Sequence, residues 1–127
     1  MPGETGLARL LAGMEPVLQP GEFVFCTVAA APPDLDALAT FREAEGLTIV
    51  CERAEAERLH LAYTFVCRLI TLSVHSSLNA VGLLAAVSAQ LARYDIPLNV
   101  VSAYYHDHLF VPAGAAEKAL AALQRLK

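Results

Sequence analysis

Residues 63–74, "YTFVCRLITLSV", constrain the fold more than any other stretch of the chain. Read at the period of two that a strand imposes, both faces are apolar, and only Arg68, Thr71 and Ser73 interrupt them. A strand with one wet face alternates, whereas a strand covered on both sides reads as a nearly continuous apolar run. The segment is therefore expected in the middle of a sheet, with flanking strands and a helical layer supplied by the rest of the chain. The clearest helix follows it. "NAVGLLAAVSAQLARY" (79–94) places Leu83, Leu84, Val87, Leu91 and Tyr94 on one stripe, with Ser88, Gln90 and Arg93 away from it. Ser76 or Ser77 can cap its start.

The remaining elements fall around this pair. "ETGLARLLAG" (4–13) reads as a short helix ending at Gly13, and "EPVLQPGEFVFCTV" (15–28) as two short strands around the turn dipeptide Pro20-Gly21. "APPDLDALATFREAEG" (31–46) has helix punctuation: Asp34 or Asp36 as N-cap, Leu35, Leu38 and Phe41 on one face, and Gly46 as the stop. "LTIVCE" (47–52) is β-rich, "RAEAERLHL" (53–61) is a charged connecting helix, and "PLNVVSAYY" and "HLFVP" are strands on either side of "HDH". A last amphipathic helix, 115–127, turns Leu120, Leu123 and Leu126 inward. "IPLNVVSAYYHDHLFVPAGAAEKALAAL" and "EPVLQPGEFVFCTVAAAPPDLDALATF" share one plan: X-Pro-aliphatic, turn, strand, loop, helix. The first half then reads α-β-β-α-β and the second β-α-β-β-α. Each lacks one terminal strand of β-α-β-β-α-β, and each can complete the other.

Composition removes several function classes. A chain of 127 residues is one compact domain or two small halves sharing a core. Nine Lys and Arg lie scattered in a chain of net charge −4, so neither a nucleic-acid footprint nor an anionic-membrane surface is expected. No apolar run approaches the ~18–20 residues of a membrane span, and the start has no basic, then apolar, leader pattern. Cys26, Cys51 and Cys67 each sit in an apolar strand-like run with no CxxC pair, which reads as buried inert thiols and a cytoplasmic location. No GxSxG, P-loop, GxGxxG or HExxH is present, so no enzyme class and no cofactor is expected. The hydrophobic share of 56% suggests that a second copy covers part of the surface.

"ITLSVHSSLNAVGLLAAVSAQLARYDIPLNVVSAYY" resembles the ACT domain. Gly82 matches the helix-opening glycine, Leu83, Leu84, Ala85, Val87 and Leu91 match the apolar helix positions, and Ile96 and Leu98 match the entry to the second strand. With "YYHDHLFVP", the segment "VHSSLNAVG" looks more closely like small stand-alone tandem ACT-like proteins. The resemblance is good over roughly 63–127 and faint over 1–52. It implies a ferredoxin-like α+β fold (βαββαβ) in two incomplete halves, residues 1–62 and 63–127, with an antiparallel sheet and helices on one face. It also implies a regulatory, non-catalytic homodimer that binds a small molecule, commonly an amino acid, near the first strand–helix loop.

The residues in that loop suit the task. A helix start leaves unpaired N–H groups and a partial positive charge, which hold a carboxylate without a basic side chain. The candidate site is His75, Ser76, Ser77, Leu78, Asn79, Ala80, Val81 and Gly82, with Ser76, Ser77 and Asn79 supplying short polar groups. Backbone groups of Asn99, Val100 and Val101 could receive an ammonium. Plain helix capping by the serines is the competing reading. A second candidate is the "HDH" hairpin. The topology brings His75, at the end of the central strand, to the sheet end where His106, Asp107 and His108 turn, and an H-x-H pair on one strand face could bind zinc, so a metal-binding protein or a small enzyme built on this cluster is the alternative function. Ordinary turn chemistry explains the same residues. Tyr104 and Tyr105 are expected on opposite faces of a strand, one of them in the core. Arg68 is expected to pair with Glu55 or Glu57, or to reach an anion.

Overall fold

The computed structural model describes residues 6–74 and 80–127. Along the chain lie α1 (Leu7–Gly13), β1 (Pro16–Leu18), β2 (Phe23–Val28), β3 (Ala39–Glu43), β4 (Gly46–Glu52), α2 (Arg53–Arg58), β5 (Thr64–Leu72), α3 (Leu83–Arg93), β6 (Asn99–Ser102), β7 (Asp107–Pro112) and α4 (Ala116–Gln124). The strands form one seven-stranded antiparallel sheet in the order β3-β4-β2-β5-β7-β6, with β1 also paired to β5. The long apolar run is indeed central. On one edge β5 pairs with β2 (Phe23↔Cys67) and, further along, with β1 (Val17↔Thr71); on the other it pairs with β7 from Cys67 to Thr71. Pro20-Gly21 separates β1 from β2 as expected, and both run in the same direction along β5.

Two βαββαβ units share β5. Taking β5, α3, β6, β7 and α4 with β1 as the last strand gives the order β1-β5-β7-β6, the fourth, first, third and second strands of a complete unit. Taking β2, β3, β4, α2 and β5 gives β3-β4-β2-β5, the same order with the first helix missing. The halves complete each other, though not by the symmetric exchange expected. The C-terminal unit borrows β1, and the N-terminal unit borrows β5 and lacks a helix.

That missing helix corrects the reading of 31–46. Residues 29–38 form a loop and 39–52 a hairpin, β3 against β4, turning at Ala44 and Glu45. The three-residue spacing of Leu35, Leu38 and Phe41 suggested a helix. Pairing with β4 overrides it, because β4 would otherwise leave a row of backbone groups open. Gly46 is no helix stop. At φ +154° it enters β4, and a Cβ there would lie 3.0 Å from the Val28 carbonyl oxygen and 3.0 Å from Thr27 Oγ1. Only glycine lets the hairpin close against β2.

Side chains divide by sheet face. On the helical face, Ile70, Leu72, Leu109 and Val111 pack under Leu10 and Met14, under Leu83, Val87 and Leu91 of α3, and under Ala119, Ala122 and Leu123 of α4. A fully buried aliphatic side chain of this size contributes about 1.5–3 kcal/mol. Small residues on α4 let α3 approach closely. Gln90, expected away from the apolar stripe, is buried there and donates from Nε2 to the Ala122 carbonyl at 2.9 Å. Val24, Cys26, Ile49, Cys51 and Ala56 form a second patch that includes α2. All three cysteines are buried free thiols, and burial pushes Cys67 up to about 12 and Cys51 to about 11. The opposite face carries no helix. Phe23, Phe110, Val50, Cys67 and Leu69 pack there with Phe25 and Phe65. Phe41 shares that face by register, so all five phenylalanines lie on it. Edge-to-face contacts join Phe25 to Phe110 at 5.5 Å and Phe23 to Phe110 at 6.5 Å. No described helix is long and apolar enough to cross a membrane.

Candidate functional site

The corner between β5 and α3 is built on Gly82. It is the N-cap of α3 at φ 102°, ψ −20°, and no side chain among the described residues caps the helix. The described helix opens at Leu83; the expected start at Asn79 and the serines expected to cap it lie outside the described residues. A left-handed residue ends the helical run, and Ala86 N–H closes the first turn on the Gly82 carbonyl at 2.9 Å. A Cβ at Gly82 would sit 3.2 Å from Leu7 Cδ2, so the glycine also seats α1 against the corner. Among the described residues no side chain caps the early amides of α3, the arrangement that favours an anion. Ala80 is half-buried against the core and Val81 is 82% exposed. His75, Ser76, Ser77, Leu78 and Asn79 lie outside the described residues. Asn99, Val100 and Val101 lie on β6, the outermost strand, with β7 between them and β5. Val100 turns to the helical face, while Val101 packs with the phenylalanines on the other.

The histidine hairpin is arranged differently from expectation. The tip is Ala103–His106, closed by Ala103 N–H on the His106 carbonyl at 3.0 Å. Asp107 already belongs to β7, opposite Ser102, and is buried. Alternation then sends Asp107 to the helical face with Leu109 and Val111, and His108 to the opposite face with Phe110. The two cannot converge on one point. His106 does meet the end of the central strand, with Nδ1 3.3 Å from the Val74 carbonyl. His108 Nδ1 bonds the Thr71 hydroxyl at 3.1 Å, and the His106 and His108 rings stand 6.5 Å apart. Among the described residues no three candidate ligands gather for a metal ion. Tyr104 and Tyr105 are both on the exposed tip, packed edge to face at 4.9 Å, so neither is core. The strand ends at Ser102, before their alternation could bury one.

Arg68 pairs with neither expected carboxylate. Glu55 is taken by Arg58 and by the Asp36 N–H; Glu57 is taken by Arg53 and the Tyr63 hydroxyl. Arg68 donates from Nη2 to the Gln19 carbonyl at 3.1 Å, and its buried Nε has no partner.

One cavity escaped the sequence reading. The sheet curls toward its helix-free side until its two outermost strands approach. Leu38 and Ala39, at β3, and Val101 and Ala103, at β6, line a single space of about 210 Å³ with Phe110 and His108. His108 is its one titratable group, held below the usual imidazole range by burial and then by the His106 charge, against the opposing pull of Asp107. The sequence carried one hint: phenylalanines in strands whose other alternate positions are aliphatic. Which strands would be neighbours was not legible from that hint.

Comparison with known proteins places this geometry. The ACT domain matches residues 2–68 and again 64–125, and the two ranges overlap inside β5, the strand that both units use. A protein of unknown function from Vibrio cholerae, VC0802, described as a possible transport protein, is 48% identical; 92% of each chain is covered, with a TM-score of 0.84. Protein Atu0741 from Agobacterium tumefaciens shares the fold, with 19% identity, a TM-score of 0.76, and 89% of this chain and 88% of that one covered. No curated protein sequence matches.

Proposed function

We propose, because this chain belongs to the ACT domain family as a tandem of two units, that it is a non-catalytic regulatory module that acts as a homodimer in the cytoplasm and binds an amino acid. ACT domains are regulatory modules for small molecules; the amino acid, the dimer and the site are our reading. The observation that supports it is the corner at Gly82, where α3 begins with no capping side chain among the described residues. An amino-acid carboxylate fits that partial positive charge. The loop His75–Gly82 would surround it, and the backbone of Asn99–Val101 would offer acceptors to the ammonium.

A thermal-shift series over the twenty amino acids, with sedimentation to read the oligomer, tests the reading. A ligand at a hundred times its Kd adds about 2.7 kcal/mol, which moves the melting point by several degrees. Val81→Asp places a negative charge beside the helix start on an exposed side chain, so it should abolish the response without loss of fold. Val81→Asn should keep it. An unchanged response in Val81→Asp removes this corner as the site, and a silent series across all twenty removes the amino acid.

A further inference from the structure

The cavity on the helix-free face is a built site of a different kind. Its walls are the two ends of one curled sheet, joined below by Phe110. A partly open space of about 210 Å³ is too small for a peptide strand or a helix to enter, and large enough for one ring with a substituent. For scale, an apolar cavity of roughly 150 Å³ stays dry and takes up benzene. The lining is Leu38, Ala39, Val101, Ala103 and Phe110, with His108 as the one polar side chain. A charged ligand would be desolvated here with no counter-charge, which strongly disfavours it.

His108 ends a chain of side-chain hydrogen bonds. Gln19 Nε2 donates to Thr71 Oγ1 at 3.2 Å, and Thr71 Oγ1 meets His108 Nδ1 at 3.1 Å. The Thr71 hydroxyl has one proton to give, and the Nδ1 lone pair is the acceptor beside it. In the tautomer that accepts this proton, the imidazole carries its own on Nε2, and that N–H is the donor left for the cavity. Burial favours the neutral ring, consistent with this tautomer.

We propose that this cavity is a second ligand site, distinct from the Gly82 corner. It takes a small uncharged molecule, cyclic or branched, whose single hydrogen-bond acceptor meets His108 Nε2–H. Because the cavity opens on the sheet face opposite α3, the proposal stands or falls independently of amino-acid binding.

Methyl and imidazole NMR with benzyl alcohol and toluene as probes tests it. Benzyl alcohol should shift the Leu38 and Val101 methyls and the His108 ring saturably, and should bind more tightly than toluene by about 2- to 10-fold, the worth of one net hydrogen bond. His108→Phe should erase that preference while leaving toluene bound. Ala39→Leu, which fills the space from the β3 wall, should exclude both probes, and it serves if His108→Phe does not fold. No saturable shift at these residues, or a shift centred elsewhere, overturns the site. Equal affinity for the two probes overturns the role of His108 and with it the proposed ligand class.

Discussion

The two units have one strand order and opposite means of covering it. In the C-terminal unit, α1, α3 and α4 close against the sheet over a core of thirteen buried apolar residues, none of them aromatic. In the N-terminal unit the first helix is absent, α2 has six residues, and the corresponding patch has five buried residues. A loop lies where the helix would be, and it is tied down by polar contacts. Arg58 grips Glu55 at 2.7 Å and reaches both the Asp34 carboxylate at 3.0 Å and the Asp34 carbonyl at 3.1 Å. The Asp36 N–H donates to Glu55 at 2.9 Å. Arg53 bridges Glu22 and Glu57 and donates to the Tyr63 hydroxyl. Exposed ion pairs contribute about 0–1 kcal/mol each, far less than a helix stripe. A ferredoxin-like unit can therefore lose a helix when it shares a strand with an intact neighbour, and tethers then need only position the loop.

Core truncation should separate the units most sharply. Leu109→Ala, in the fully buried C-terminal core, should cost about 2–5 kcal/mol by chemical denaturation. Leu35→Ala, half-buried on the N-terminal loop, should cost about 1 kcal/mol or less, since solvent can fill the space it leaves. Because β5 serves both units, each variant should still unfold in a single transition. Equal costs for the two would mean that the loop carries as much burial as the helices. Two separated transitions would mean that the shared strand does not couple them.

Gly46→Ala comes next. Its Cβ would press on the Val28 carbonyl oxygen and Thr27 Oγ1 in a backbone conformation that suits glycine, so a loss of about 1–3 kcal/mol is expected. The same position shows what the sequence could and could not reveal. Gly46 was visible as punctuation, but a helix stop and a close strand crossing both call for glycine. Local spacing favoured the helix; the partner strand, 18 or more residues upstream in β2, decided otherwise. Where local pattern and neighbours agreed, in β5, in α3 from Leu83 and in α1, the elements were legible in advance. At the Gly82 corner the family resemblance marked the glycine that opens the helix, whereas local spacing began the helix at Asn79. The cavity was not legible, because Leu38 and Val101 meet only through the curl of the whole sheet.

At the jog between β1 and β2, where the units exchange strands, Arg68 donates to the Gln19 carbonyl and keeps a buried Nε unpartnered. An unsatisfied buried donor costs roughly 1–3 kcal/mol, and the one carbonyl contact offsets part of it. Arg68→Met keeps the length and removes the orphan, so stability should rise by about 1 kcal/mol by denaturant titration. A loss instead would show that the Gln19 tie is what holds the jog, and that the shared strand depends on this arginine.

The smallest effect isolates the tethers themselves. Glu55 is held down to about 2 by the Arg58 hydrogen bonds first and the Asp36 N–H second. A carboxyl whose pKa is depressed on folding adds stability above its unfolded value, near 4.5, and loses that contribution as pH falls through about 2. The loop should therefore loosen in acid between those limits. Because the Asp36 amide donates directly to Glu55, its proton chemical shift should titrate with a midpoint near 2, and Glu55→Gln should remove that titration. Amides of β7, remote from the loop, should be indifferent to Glu55→Gln. An Asp36 midpoint at an ordinary glutamate value would mean that the arginine grip is not formed in solution, and the N-terminal unit would then have to hold its loop by the burial of Leu35 and Ala37 alone.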